Sequence, residues 1–164
     1  MSAQETILDH DKWRKGTGGA RAGPAGESDG NAYAGLDLNL ITFDSCTFSG
    51  SSFTSTTFLD AAWTSCRFSG CSFSQCDMMS IKITECTFIN CTFSQSQFKA
   101  STFRDCTFEK CDWMGLNFDA SHWSRVSLLE CRGQQITGGD LQGKYVDFTG
   151  SQFEAMQLTN ALIN

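Results

Sequence analysis

At 164 residues the chain is long enough for one domain of ordinary size. Its 14 Phe, many Ser and Thr and single Pro favour extended structure over helix, because aromatic side chains and Thr fit pleated surfaces while Ser and Gly weaken helices. A net charge of -6 argues against direct nucleic-acid binding. With neither a basic leader with an apolar stretch nor an apolar run of about 18 residues, the expectation is a cytoplasmic chain with reduced thiols and no membrane partner.

In chain order, Ser2 to Glu5 fits a capping box, and Ile7, Leu8 and Trp13 follow it. This predicts a helix over residues 3–15, so that segment 1–15 is an N-terminal helix or cap. Three roles stay open for it: a shield over the open end of the next element, a disordered tail, or a docking peptide. Residues 16–32, "GTGGARAGPAGESDGNA", read as a flexible Gly-rich linker. Their glycines do not match the dinucleotide-binding fingerprint, because Arg21 stands where its third glycine belongs.

From residue 33 a repeat dominates. Every fifth residue from Leu38 is large and apolar: Phe43, Phe48, Phe53, Phe58, Trp63, Phe68, Phe73, Met78, Ile83, Phe88 and onward to Leu128, then Phe148, Phe153, Leu158 and Ile163 in the same phase. A period of five suits neither a helix nor a flat strand. It suits a coil whose every side takes five residues. Two residues before each centre stands a small residue, and all nine cysteines fall in that series. The other positions are mostly polar, so two positions point inward for every three outward.

The units "GLDLN", "CTFSG", "CSFSQ", "CTFIN" and "STFRD" resemble those of the pentapeptide-repeat proteins, over about residues 36–164. The resemblance implies an all-β solenoid, a right-handed quadrilateral β-helix with about 20 residues per turn and hence about six coils, plus the short N-terminal helix or tail. The repeat domain is placed at 33–164.

With four units per coil, residues twenty apart stack. Cys46, Cys66, Cys86 and Cys106 form one column and Cys71, Cys91, Cys111 and Cys131 another, while Cys76 stands between Thr56 and Ser96. Coils about 4.8 Å apart carry parallel side chains, whereas a disulfide needs converging Cβ vectors. Zinc needs four ligands at one point, and no C-x-x-C element is present. The cysteines are therefore expected to be interior filling beside Phe48, Phe68, Phe88 and Phe108, with no metal and no cofactor.

From Cys131 the centres become Gly133, Gly138 and Gly143 while the partner positions enlarge to Ile136, Leu141 and Val146, so large and small exchange places. Gly138, Gly143 and Lys144 fit G-x-x-x-x-G-K, but Tyr145 replaces the required Ser or Thr and the match keeps step with the repeat. At the end, Leu158, Leu162 and Ile163 offer an end-to-end homodimer contact, with a frayed terminal coil as the other reading.

Catalytic residues are not expected: His10 lies in the leader, His122 faces outward, and a uniform wall assembles no acid, base and nucleophile. One column of units carries Asp60, Asp77, Asp119 and Asp140 against Lys99 alone, with Leu59 and Met79 exposed beside the row. These residues form the candidate interaction face. The expected function is a non-enzymatic interaction module of the adaptor, inhibitor or immunity type, binding a protein partner that the sequence does not name. The family resemblance adds an alternative, a DNA-mimicking protector of gyrase or topoisomerase IV. Against it stand the modest charge and the lack of a loop insertion or C-terminal dimer helix.

Overall fold

The computed structural model describes residues 2–164. It contains one helix, α1 (Ala3–Lys15), and eighteen short strands, all paired in parallel with strands one coil away. They build a right-handed quadrilateral β-solenoid of about 7 turns. Register pairs such as Phe68↔Phe88, Phe88↔Phe108 and Phe93↔Trp113 are twenty residues apart, as a period of five on four sides requires.

The inward series is buried from Leu38 to Leu141, its polar members included. Phe48, Phe68, Phe88 and Phe108 stack with ring centroids 4.8, 4.7 and 4.6 Å apart and planes within 5°. The coil spacing thus sets the ring spacing, near the close end of the range for stacked rings. Every thiol but one donates to the main-chain carbonyl 23 residues earlier, as Cys91 does to Phe68 O at 3.4 Å and Cys111 to Phe88 O at 3.3 Å. Cys46, at the first coil, donates instead to Pro24 O at 3.2 Å. Ser121 makes the same bond to Phe98 O at 2.6 Å, so Ser can make the bond that Cys makes, while Ala61, Ile81, Leu116 and Val126 fill the same series without a donor. Three buried indole N–H groups, of Trp63, Trp113 and Trp123, have no acceptor among the described residues, a cost the packing of the interior outweighs.

Corners explain a constraint on the outward residues. The residue two after each centre has positive φ, for example Ser65 at 54°, Arg125 at 52° and Tyr145 at 58°, with Gly50, Gly70 and Gly150 in the same role. No Val, Ile, Thr or Pro stands at any of these corners. A branched Cβ collides with the following carbonyl in the left-handed region. Ser65→Val is therefore expected to lower stability by about 1–2 kcal/mol, with Ser65→Gly neutral or stabilising; urea unfolding measures both.

The first coil starts earlier than composition suggests, which makes the solenoid about seven turns and not six. Ala25 bridges Asp44, Ser28–Asp29 pairs with Thr47–Phe48, and Ala32–Ala34 pairs with Ser52–Thr54. Much of the segment read as a linker is thus wall. Its glycines permit close approach: a Cβ on Gly23 would meet Thr42 O at 2.2 Å, and one on Gly19 would meet Asp9 O at 2.2 Å. Glycine serves backbone packing here.

Helix α1 starts at its Ser2 cap, whose Oγ accepts from Glu5 N, and ends at Gly16 in the left-handed region. It lies against the first coil, with Ile7 inside the apolar cluster. His10, fully buried, bonds to Asn39 O at 2.8 Å through Nε2 and accepts from Ala22 N at Nδ1. Asp11 accepts from Asp37 N at 2.7 Å and pairs with Lys15. These bonds tie helix, connecting segment and coil together.

Asp29 occupies the end of the Phe48 stack. It is one residue out of the repeat's phase, since Asp29 pairs with Phe48 while Ala32 pairs with Ser52. Tyr33 and Ser51 hydroxyls donate to its carboxylate at 2.7 Å each, and Asn31 donates through both main-chain and side-chain nitrogen. Burial pushes this carboxyl upward, but the four donors outweigh it and hold it below the usual carboxylate range. With the folded value depressed, its stabilisation is present above the unfolded value of about 3.9 and is lost as pH falls through the folded value. Asp29→Asn is expected to remove that contribution to acid unfolding below about pH 4. An acid titration followed by tyrosine fluorescence checks it.

Candidate interaction surface

The four walls are not equivalent. Three carry true strands, whereas the wall centred on Leu38, Phe58, Met78, Phe98, Phe118 and Gly138 is made mainly of turns joined by isolated bridges. It holds all six residues of the candidate face. On this wall the chain leaves its ladder after each bridge, so amide groups need side-chain acceptors.

Those acceptors are the Asp and Asn residues. Asp77 accepts from Met79 N at 3.2 Å and Asn117 from Asp119 N at 2.8 Å, each two residues on within one turn. Across coils, Asn39 accepts from Leu59 N at 2.8 Å and Asp119 from Gly139 N at 2.7 Å. Asp140 accepts from Asn160 Nδ2 at 2.5 Å. Three of the four aspartates singled out from the sequence are therefore bonded within the wall. Asp60, exposed at a corner, is the one whose side chain makes no hydrogen bond among the described residues. Leu59 is half-buried and Met79 is 39% exposed on the neighbouring coil. They form an apolar spot beside Asp60. The candidate face thus has an apolar centre, the Asp60 carboxylate, and a rim in which Asp77 and Asp119 accept from backbone amides and Asp140 from the Asn160 side chain.

Apart from Lys99, which follows Met79 by one coil on the candidate wall, the basic residues of the repeat stand on the other walls. Arg125 forms a two-pronged ion pair with Asp105 on the coil below, in register through the stack. Arg104 and Lys144 flank Ser124 on the same wall. A shallow depression of about 380 Å³ runs past His122, Gln142 and Lys144. Among the described residues, no three or more His, Cys, Asp or Glu side chains are grouped to hold a metal ion. Among the described residues no helix is long and apolar enough to cross a membrane.

At the C-terminal end the interior is rebuilt. A Cβ on Gly133 would lie 2.2 Å from Phe153 Cδ1, one on Gly138 3.1 Å from Leu158 Cδ2, and one on Gly143 3.3 Å from Ile163 Cγ2. The large side chains of the last coil sink into the glycine layer below, and Phe153 reaches to 6.1 Å from Trp113. Leu158 and Ile163 are thus half-buried in their own chain, while Leu162 is 58% exposed on an outer wall. Of the three residues proposed for an end-to-end contact, two are partly engaged already.

The sequence did not flag Asp29, Tyr33 or His10 as structural polar groups. A signal for the first was available, a carboxylate at the head of a Phe column, but only once the one-residue phase shift is known.

Residues 81–158 match the family model described as a pentapeptide repeat region. No curated protein matches the chain. Among solved structures, the pentapeptide repeat protein Rfr23 from the cyanobacterium Cyanothece 51142 is 9% identical, with a TM-score of 0.54 over 99% of this chain and 100% of that one. QnrB1, a plasmid-mediated fluoroquinolone resistance protein, is 16% identical with a TM-score of 0.48 over 85% of this chain and 80% of that one. HetL of Nostoc sp. PCC 7120, involved in heterocyst differentiation regulation, is 12% identical with a TM-score of 0.37, over 99% and 97%.

Proposed function

We propose that this chain, a pentapeptide-repeat protein by its repeat and its fold, is a non-enzymatic interaction module of the adaptor, inhibitor or immunity type. It binds a protein partner through the turn-built wall. The carrying observation is the apolar pair Leu59 and Met79 on adjacent coils beside the free carboxylate of Asp60. A rigid wall presents these groups without an ordering cost, which favours a preformed protein surface as partner. Asp60 selects a cationic group at the rim, and the two apolar side chains supply the desolvated centre.

Leu59→Lys and Met79→Lys test this reading by co-purification from the native cell. The reading requires loss of the co-purifying protein with both variants and retention with Thr64→Lys on another wall. Equal retention in all three overturns it. Charge-removing variants on this wall must respect its internal bonds. Asp60→Asn removes the charge and suits the left-handed corner at φ 56°, and Asn at Asp77 and Asp119 likewise keeps an oxygen for the turn amides.

The DNA-mimic reading predicts that micromolar protein alters gyrase supercoiling. It gains little from a net charge of only -6. A null supercoiling assay removes it.

A further inference from the structure

The two cysteine columns have a geometry that the exclusion of zinc does not address. Zinc demands four converging ligands, but some ions need only two, placed in line. In the column Cys71, Cys91, Cys111 and Cys131, each thiol donates to the carbonyl 23 residues earlier, at 3.3 to 3.4 Å. The same bond recurs at Cys66, Cys86 and Cys106. Identical bonds in successive coils mean one shared rotamer, so sulfurs repeat at the coil spacing of about 4.8 Å. A metal–thiolate bond is about 2.3 Å, so a linear sulfur–metal–sulfur unit spans about 4.6 Å. An ion midway between two stacked sulfurs therefore needs almost no displacement of the wall.

We propose that neighbouring cysteines of each column form linear two-coordinate sites for soft d10 metal ions, with the mercuric ion as the best match. Softness follows from thiolate ligands alone. Charge selects among the soft ions. The thiols are about 1% exposed among aromatic rings, where a net charge is costly. One divalent ion and two thiols give a neutral bis-thiolate and two protons, released to solvent, with no change of oxidation state. A monovalent ion on two thiolates leaves a negative charge inside. Four cysteines per column pair off without sharing, Cys71 with Cys91, Cys111 with Cys131, Cys46 with Cys66 and Cys86 with Cys106. Entry is easiest at the C-terminal end, where half-buried Ser151 alone follows Cys131 in its column.

The full chain is titrated with mercuric chloride in the presence of excess monothiol, followed by native mass spectrometry and circular dichroism. Serine is the chosen replacement because Ser121 already makes the same carbonyl bond, so the variants keep the fold. The expected result is four ions per folded chain, each displacing two protons, with the β-sheet signal unchanged. Cys91→Ser and Cys106→Ser each retain three ions, their combination two, and Cys76→Ser all four; zinc chloride gives none. Failure of the folded chain to retain mercury overturns the proposal. So does loss of an ion in Cys76→Ser, or loss of the β-sheet signal on uptake.

Discussion

Phe88→Ala is expected to lower the unfolding free energy by about 3–5 kcal/mol, the cost of removing a fully buried aromatic ring. Phe88 stacks on Phe68 and Phe108 within 5° and packs edge-on against Phe93. Its neighbours cannot close the gap, because the coil spacing is fixed by ladder hydrogen bonds on both sides. Thr87→Ala, one position outward, removes no ring and is expected to shift stability by no more than about 0.5 kcal/mol. Urea unfolding of the pair isolates the interior term. In a solenoid the loss is felt locally first, so hydrogen exchange should rise most in the coils that carry Phe68, Phe88 and Phe108.

Gly133→Ala is expected to cost about 1–3 kcal/mol, as overpacking does in a filled interior. The new Cβ would stand 2.2 Å from Phe153 Cδ1, so the ring must leave the hole it occupies. Phe153 is half-buried, and its escape route is toward the open end. The expected result is a loosened segment 148–164 with the coils before it intact, seen as faster proteolysis of the last coil. Adding Phe153→Ala to Gly133→Ala should recover part of the loss, because the alanine pair no longer collides. Strict additivity of the two changes would mean that the glycine layer does not receive the last coil.

The interior was legible because the repeat writes it in residue identity. Phe, Trp and Cys occupy inward positions whose neighbours twenty residues away are of the same kind, so a column can be read without coordinates. Helix α1 was legible from its cap. The beginning of the solenoid was not, since glycine marks a flexible linker and a close backbone contact with the same letters. Gly19 and Gly23 are of the second kind, and only the carbonyls of Asp9 and Thr42 reveal it. Asp29 escaped because its pairing with Phe48 spans nineteen residues, one fewer than the repeat.

The candidate face was legible as a list of residues, but the internal bonds of its carboxylates were not. Asp77, Asp119 and Asp140 look like a solvated acidic row in the sequence. In the folded chain they accept hydrogen bonds from Met79 N, Gly139 N and Asn160 Nδ2, so much of that row is the wall's own turn chemistry. The surface we propose for a partner is smaller and more apolar: Leu59, Met79 and Asp60.

Position-specific photocrosslinking tests that claim most directly. A benzophenone side chain is placed at position 79, and in a second protein at position 64 on another wall, in the cell that makes the chain. The account predicts one discrete protein adduct from position 79 and none from position 64. The same adduct at equal yield from both positions, or none from position 79, would contradict it.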